Sequence, residues 1–294
     1  MSEPAGEPIS AAEPAGEPIS AAEPAGEPIS AAEPASEPIS AAEHERPAGL
    51  RWWKEVAYIA VFYVVYTFIR NQFGSEAGGA DIAFDHARQV IDVERALGTY
   101  HEETVQELFL GSRPFIQFWN LYYGTFHFVV TIAAILWLFL RQPGRYVRWR
   151  STLAATTALA LIGYATYPLA PPRLLPELGY VDTLRTYGGL WSFDDGAMEA
   201  VSNQYAAMPS LHFAWALWCS FVFFPAARRP WAKALVVAYP LATLFAIVVT
   251  ANHFWLDAAG GALVLAGGWL AGSWWDRMRA STRRSPGDVA GAPS

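Results

Sequence analysis

A histidine and an aspartate four residues apart, His253 and Asp257, are the residues of this chain best placed to do chemistry. Residues at this spacing lie one above the other on a helix, so the carboxylate can orient the imidazole. The apolar residues that follow, 258–275, predict that the pair lies in the first turn of a membrane helix. Ionisable groups within or beside a spanning segment are rare and are by default candidates for function. We therefore expect this pair to form part of a site at the membrane surface.

A second histidine, His212, ends the sequence Pro209-Ser210-Leu211-His212, which leads directly into an apolar run. Proline is favoured at the first helical position, so this sequence predicts a helix start. The backbone N–H groups of Ser210, Leu211 and His212 would then face outward and could bind an anion. Upstream, the prolines among residues 167–173 should end a helix and leave Arg173 at the same surface.

An arginine, two histidines and an aspartate beside two helix N-termini suit the chemistry of phosphate esters. Arg173 can bind phosphoryl oxygens bidentately. His253, oriented by Asp257, is the candidate nucleophile, and His212 is the candidate acid that protonates the leaving alcohol. We predict that this chemistry requires no metal and no cofactor.

Two other interpretations of the same residues remain open from the sequence. His253 and Asp257 could serve only as a polar link between helices. Alternatively, His212, His253 and Asp257 could bind zinc and leave one coordination position open. The anion-binding amides and Arg173 argue against zinc, because they would repel a cation.

Further polar residues are candidate contacts for a substrate. Asn120, Tyr123 and His127 share one face of an apolar segment, although a hydrogen-bonded link between helices would explain Asn120 and His127 equally well. Arg185, in the loop of residues 169–208, could select a headgroup, and Asn252 adjoins the proposed nucleophile.

The composition is that of a membrane protein. Of 294 residues, 53% are hydrophobic, 15% are aromatic and only 16% are charged, which is too apolar for an average soluble chain. We predict an all-α polytopic membrane protein with an outer interfacial helical cap and disordered termini. Six apolar segments are each long enough to cross a bilayer: 52–71, 115–140, 150–168, 209–226, 231–250 and 254–275.

The remaining segments give the predicted domain organisation. Residues 1–46 contain a ten-residue repeat rich in Glu, Pro and Ala, which cannot bury a core and is predicted to be disordered. Residues 47–276 form the catalytic domain, and residues 277–294 form a disordered tail. Within the catalytic domain an amphipathic helix should end at Gly98, and Thr99 with Glu102 has the pattern of a capping box for the next helix.

Basic residues predict the orientation, because they concentrate in cytoplasmic loops. They cluster in three places: Arg141, Arg145, Arg148 and Arg150; Arg228, Arg229 and Lys233; and Arg277, Arg279, Arg283 and Arg284. We therefore expect a multi-pass protein of the cell membrane with cytoplasmic termini and a site that faces outward.

The two histidine motifs resemble those of the type 2 phosphatidic acid phosphatase superfamily, whose members carry Pro-Ser-x-His and a later His-x3-Asp. The resemblance covers about residues 50–275. With Leu211 in the first motif and an aromatic residue after His253, the chain looks like the branch of inositolphosphotransferases that includes inositol phosphorylceramide synthases. The resemblance implies a phosphohistidine intermediate at His253, acid catalysis by His212, orientation by Asp257 and a lipid phosphate or phosphodiester as substrate.

The chain also departs from the pattern of the phosphatases in this superfamily. Ala246 and Ile247 stand where those enzymes have a Ser-Arg pair, and the only lysines, Lys54 and Lys233, fall on the predicted inner side. These departures favour a transferase over simple hydrolysis of phosphatidate.

The expected partners are a lipid phosphate, an acceptor hydroxyl or water, and membrane lipids, with no nucleic acid. A non-catalytic membrane protein that binds or transports a lipid headgroup is the alternative function. The sequence does not identify the donor, the acceptor or the oligomeric state.

Overall fold

A computed structural model of the chain describes residues 50–72, 79–188 and 203–283. Within these ranges the fold is all-helical, as predicted. The α-helices are α1 (Trp52–Gln72), α2 (Gly79–Leu97), α3 (Glu102–Leu110), α4 (Arg113–Arg141), α5 (Pro143–Thr166), α6 (Thr183–Tyr187), α7 (Leu211–Phe223), α8 (Pro230–Val249) and α9 (Trp255–Arg283). Three short 3₁₀ helices are η1 (Pro172–Leu174), η2 (Pro176–Leu178) and η3 (Phe224–Ala226).

Two of these helices are long and apolar enough to cross a membrane, α4 and α8. The apolar segment Leu211–Ala226, which comprises α7 and η3, is shorter. A helix occupies each of the six segments predicted to span the bilayer, but six crossings remain a prediction.

Small residues let α5 and α9 pack closely. Gly268 and Gly272 lie against Thr156 and Thr152, and a Cβ atom at Gly268 would overlap the backbone and side chain of Thr156. Close approach at small residues is typical of helix pairs in membranes, where dispersion contacts replace the hydrophobic effect as the main attraction. This packing fixes the direction of α9, the helix that follows His253.

Helix α5 begins at Pro143, seven residues before the predicted start of the third span. Its first turns are rich in arginine, so a search for apolar residues missed them. Burial of Tyr146 and the ion pair of Arg150 with Glu55 of α1 hold this part of the helix against its neighbour.

The predicted start of the C-terminal tail falls within a helix. Helix α9 continues to Arg283, past the predicted boundary at residue 276. The predicted disordered segment 1–46 and the part of the tail from residue 284 lie outside the described residues.

Helices α2 and α3 form a cap over the loops that carry the site. Alanine and branched apolar residues of α2 pack with Leu169, Tyr180 and Phe254 from three separate connections. Helix α2 ends at Leu97, and Gly98 adopts a positive φ of 69°, which confirms the predicted stop.

The predicted capping box was wrong. The N-cap residue of α3 is His101, and its side chain makes no capping hydrogen bond. The Thr99 hydroxyl donates to the Glu94 carbonyl oxygen instead. Glu102 is buried and its carboxylate faces α9, because the chain turns sharply between α2 and α3.

Candidate active site

His253 and Asp257 are in contact, as the sequence predicted. His253 Nδ1–H donates to Asp257 Oδ2 at 3.2 Å, and the Phe254 backbone N–H donates to the same oxygen at 3.0 Å. Asp257 is fully buried and His253 is 3% exposed. Because Nδ1 carries the proton that the carboxylate accepts, Nε2 of His253 keeps its lone pair.

The structure corrects the location of His253. Helix α9 begins at Trp255, so the histidine lies in the turn before the helix and not in its first turn. The Asp257 carboxylate therefore extends back past the helix N-terminus to accept the hydrogen bond from His253. In the same turn the carbonyl oxygen of Ile247 accepts from the backbone N–H of both Asn252 and His253, at 2.9 and 3.1 Å.

The second histidine, His212, contacts the His253 ring on the side opposite Asp257. His212 Nδ1 lies 3.4 Å from His253 Nε2, which is long for a hydrogen bond. Since Nε2 of His253 is an acceptor, the proton in this contact belongs to Nδ1 of His212. The contact thus places the nitrogen that could attack phosphorus next to the nitrogen that could protonate a leaving group.

Two aromatic rings of α4 hold the His212 ring. Tyr123 stacks on it with a centroid separation of 4.3 Å, and the His127 ring lies 4.2 Å away at 65°. His127 Nδ1–H donates to the Tyr123 carbonyl oxygen at 2.9 Å, which fixes the orientation of the His127 ring. Both residues were predicted to contact a substrate, and these contacts favour a role in positioning His212.

The start of α7 differs from the predicted anion-binding site. Ser210 is the N-cap of the helix, with its Oγ accepting from the Phe213 N–H at 3.4 Å. The Ser210 N–H donates to the Asp257 carbonyl oxygen at 2.9 Å, so it is not available to an anion. The reason is that the helix begins at Leu211 and not at Pro209. The same hydrogen bond directly links the segment of His212 to the segment of His253 and Asp257.

A glycine permits this link. A Cβ atom at Gly261 in α9 would overlap the Ser210 carbonyl oxygen. We expect Gly261→Ala to push the start of α7 away from α9 and to lower turnover by up to about 100-fold, because catalysis is sensitive to displacements near 1 Å. The measurement is kcat in detergent, with Gly111→Ala as the control, since no atom lies within 4 Å of a Cβ at Gly111. Equal activity of the two variants would contradict the importance of this contact.

Arg173 lies in η1, beside the turn that carries His253. Its backbone N–H donates to the Ala251 carbonyl oxygen at 2.8 Å, and its Nη1 donates to Asp182 Oδ2 at 2.9 Å. Asp182 also accepts from the Arg185 N–H at 3.1 Å and caps α6. Arg173 is thus held by its backbone and its side chain beside the turn that carries His253, whereas the side chain of Arg185 is exposed.

Asn120 and Asn252 use their side chains within the protein. Asn120 donates to the carbonyl oxygens of Thr183 and Gly188, both at 2.9 Å, and so ties α4 to α6. Asn252 donates to the carbonyl and hydroxyl oxygens of Thr250. These bonds favour a structural role for both residues over the predicted contact with a substrate.

Apolar residues occupy the region under His212, where the sequence departs from the typical phosphatase pattern. Ala246 and Ile247 are buried, and they line a small cavity together with Tyr123, His127 and His212. Among the residues that the structure describes, no lysine or arginine lines this cavity.

Two buried carboxyl groups near the site were missed by the sequence analysis. Glu94 Oε1 accepts from the Leu256 N–H at 2.8 Å, and Glu102 Oε1 accepts from the Trp255 N–H at 3.1 Å. Burial raises the pKa of Glu94 to about 9, and the hydrogen bond and charge of Glu102 add to the effect. In the sequence Glu94 fits the polar face of an amphipathic helix and Glu102 fits a capping box with Thr99, so neither pattern indicated a buried carboxyl group.

Comparison with known families agrees with this geometry. The family model of the PAP2 superfamily, the type 2 phosphatidic acid phosphatases, matches residues 88–271. The match covers more than half of the chain, which therefore belongs to the PAP2 superfamily. This membership suggests phosphatase or phosphotransferase activity on lipid phosphates, and with the two apolar helices it suggests a membrane protein. No curated protein and no solved structure gives a significant match.

Proposed function

We propose that the protein is an integral membrane phosphotransferase or phosphatase that acts on a lipid phosphate or phosphodiester through a phosphohistidine at His253. The observation that carries this proposal is the pair of contacts to the His253 ring. Asp257 binds Nδ1 at 3.2 Å and His212 lies 3.4 Å from Nε2. A nucleophile with an orienting carboxylate on one side and a proton donor on the other is the arrangement that covalent phosphoryl transfer needs.

In the proposed reaction, the substrate phosphate enters between the two imidazoles and replaces their direct contact. His253 Nε2 attacks phosphorus, and the bond from phosphorus to the lipid alcohol oxygen breaks. That oxygen takes the proton of His212. A water molecule or an acceptor hydroxyl then attacks the phosphohistidine and gives its proton to His212, and the N–P bond breaks to restore the enzyme.

Arg173 is the candidate ligand for the phosphoryl oxygens. Its backbone N–H donates to the carbonyl oxygen of Ala251, which lies two positions before the nucleophile in the sequence. The Asp182 carboxylate orients its guanidinium, which presents several N–H donors in a planar fork. The amides of Leu211 and His212 at the start of α7 would add positive potential.

A transferase of the inositolphosphotransferase type is the form of this activity that we favour. Leu211 in the first motif and Phe254 after the nucleophile support that branch. The apolar residues Ala246 and Ile247 beneath His212 also distinguish the site from that of a typical phosphatase. The donor and the acceptor are to be found by experiment.

We also propose six membrane crossings with the site at the outer face and both termini in the cytoplasm. The directions of the helices support this arrangement. Helix α9 runs from His253 toward Arg277, α7 runs from His212 toward Arg228, and α5 runs from Arg145 toward Arg173. The catalytic ends and the arginine-rich ends therefore lie at opposite ends of the helices, as the concentration of basic residues on the cytoplasmic side requires.

The experiment that tests the function supplies purified protein with phosphatidate or phosphatidylinositol carrying radiolabelled phosphate, with and without ceramide or diacylglycerol. We expect the enzyme to remove radiolabelled phosphate from at least one of these donor lipids. Label in a new lipid identifies a transferase, and label in inorganic phosphate identifies a phosphatase. Specific binding of these lipids without transfer of label would support the non-catalytic alternative and overturn the proposal.

Removal of metal ions should leave the activity unchanged. The proposed cationic groups, Arg173 and the amides of α7, belong to the protein, and the leaving-group proton comes from His212. We therefore expect the same kcat before and after dialysis against EDTA, with excess Mg²⁺ restored in a parallel sample as the control. A loss on dialysis that Mg²⁺ reverses would contradict a mechanism that relies on protein side chains alone.

A further inference from the structure

Two carboxyl groups of the cap bind the N-terminus of the helix that follows the nucleophile. The first N–H groups of a helix have no partner within it. In α9 the Trp255 N–H donates to Glu102, the Leu256 N–H donates to Glu94, and the Phe254 N–H just before the helix donates to Asp257. Glu94 and Glu102 are both completely buried, although they lie more than 150 residues away along the chain.

The corner between α2 and α3 is built to present these two residues together. Glu94 lies in the last turn of α2 and Glu102 is the first residue of α3. The Thr99 N–H and hydroxyl both donate to the Glu94 carbonyl oxygen, at 2.8 and 3.3 Å. The His101 N–H donates to Glu102 Oε2 at 3.0 Å, so both oxygens of Glu102 accept hydrogen bonds.

We propose that Glu94 and Glu102 are positioning residues for the reaction: as a pair, they hold the first turn of α9 so that His253 Nε2 stays aimed at His212. The inference rests on the proposed function where it concerns catalysis. Neither residue touches the reacting atoms. Both act through the backbone of residues 254–256, which joins the nucleophile to its orienting aspartate.

The charges around the pair indicate how its members divide their roles. Glu94 faces Glu102 and, farther away, Asp257, while the phenol groups of Tyr100 and Tyr180 complete the surroundings of the two glutamates. Three ionised carboxylates in one buried cluster would repel each other strongly. Glu94 is therefore the protonated member, whereas both oxygens of Glu102 accept backbone N–H bonds.

This division predicts unequal effects of two isosteric substitutions. Glu94→Gln keeps an oxygen for the Leu256 N–H and a donor for Glu102, so it should keep the wild-type kcat. Glu102→Gln places an N–H donor where one oxygen now accepts from the Trp255 N–H or from the His101 N–H, so the hydrogen bonds that hold the first turn of α9 should weaken. We expect kcat to fall by about 10- to 100-fold with an unchanged KM, because the nucleophile is displaced while lipid contacts persist.

Hydrogen exchange of the amides of residues 254–257 provides a readout that does not depend on activity. We expect these amides to exchange at least about tenfold faster in Glu102→Gln and Glu94→Ala, because an amide that has lost its hydrogen bond exchanges through local opening alone. In Glu94→Gln we expect the wild-type exchange rate. Glu107→Gln is the control, because Glu107 is an exposed carboxylate on the same helix as Glu102.

The pH dependence of stability tests the protonation of Glu94. Its pKa is raised from 4.5 to about 9 by folding. Its contribution to stability is therefore fully present below about pH 4.5, decreases as the pH rises, and is lost once the pH passes about 9. The Tm of the wild type relative to Glu94→Gln should fall over this range, whereas the Tm difference between the wild type and Glu107→Gln should stay flat.

The outcomes separate this inference from the proposed function. If the wild type transfers no phosphate but Glu102→Gln accelerates exchange at residues 254–257, the function fails while the two glutamates still hold the helix. If the wild type is active and Glu102→Gln matches Glu107→Gln in exchange and in kcat, the positioning role is overturned. Equal losses of kcat in Glu94→Gln and Glu102→Gln would also overturn it, since the pair would then not divide its roles as proposed.

Discussion

Replacing His253 with alanine is expected to abolish turnover while leaving the protein folded. Nε2 of this residue has the lone pair, the oriented ring and the neighbouring acid that attack on phosphorus requires. Loss of a nucleophile that acts with a base and an orienting carboxylate lowers kcat on the order of 10⁶-fold in a hydrolase. We therefore expect activity at the background of the assay.

The measurement is release or transfer of labelled phosphate by purified His253→Ala at a protein concentration matched to the wild type. His101→Ala is the control, because it removes an exposed imidazole from the same chain. The Tm of both variants establishes that they are folded, and His253→Asn provides a polar variant if alanine lowers the Tm. Activity within about tenfold of the wild type in a folded variant would exclude His253 as the nucleophile.

Replacing His212 with alanine is expected to lower kcat less than replacing His253 does. The size of the loss should depend on the leaving group. General acid catalysis typically contributes about 10²- to 10⁴-fold, so kcat toward a lipid phosphate should fall by that amount. A lipid alcohol is a poor leaving group without a proton, whereas nitrophenolate leaves readily without one. The loss should therefore be much smaller when nitrophenyl phosphate is the substrate.

A second variant separates acid catalysis from packing, because Tyr123 and His127 contact the His212 ring. His212→Gln keeps a polar side chain of similar length but cannot donate a proton in this way. It should show the same dependence on the leaving group as His212→Ala. An equal loss with both substrates would mean that His212 only maintains the shape of the site.

The residues that sequence reasoning located correctly are those whose signals are local. His253 with Asp257, and Ser210 with His212, are each short motifs of at most five positions. The close spacing brings His253 into contact with Asp257, although the histidine lies in the turn before α9 and not on the helix. The stop of α2 at Gly98 was predictable because its signal is local too. Membership of the PAP2 superfamily, which these short motifs predicted, is confirmed, whereas the inositolphosphotransferase branch stays a prediction.

What sequence reasoning missed depends on tertiary contacts. Glu94 and Glu102 reach α9 across more than 150 residues, and their helices have an ordinary amphipathic pattern. Ser210 uses its N–H for Asp257 only because α7 meets α9 at Gly261. The start of α5 at Pro143 depends on a partner in α1, and apolar periodicity carries no information about such a partner.

The central claim is a covalent phosphoryl group on His253 Nε2, and trapping that group tests it most directly. Wild type, His253→Ala and His212→Ala are mixed with nitrophenyl phosphate or labelled lipid phosphate, quenched in alkali and digested, and the modified residue is mapped by mass spectrometry. The account predicts one phosphoryl group on His253 in the wild type. It also predicts the same group in His212→Ala with nitrophenyl phosphate, and none in His253→Ala. A phosphoryl group on another residue, or equal modification of wild type and His253→Ala, would contradict it.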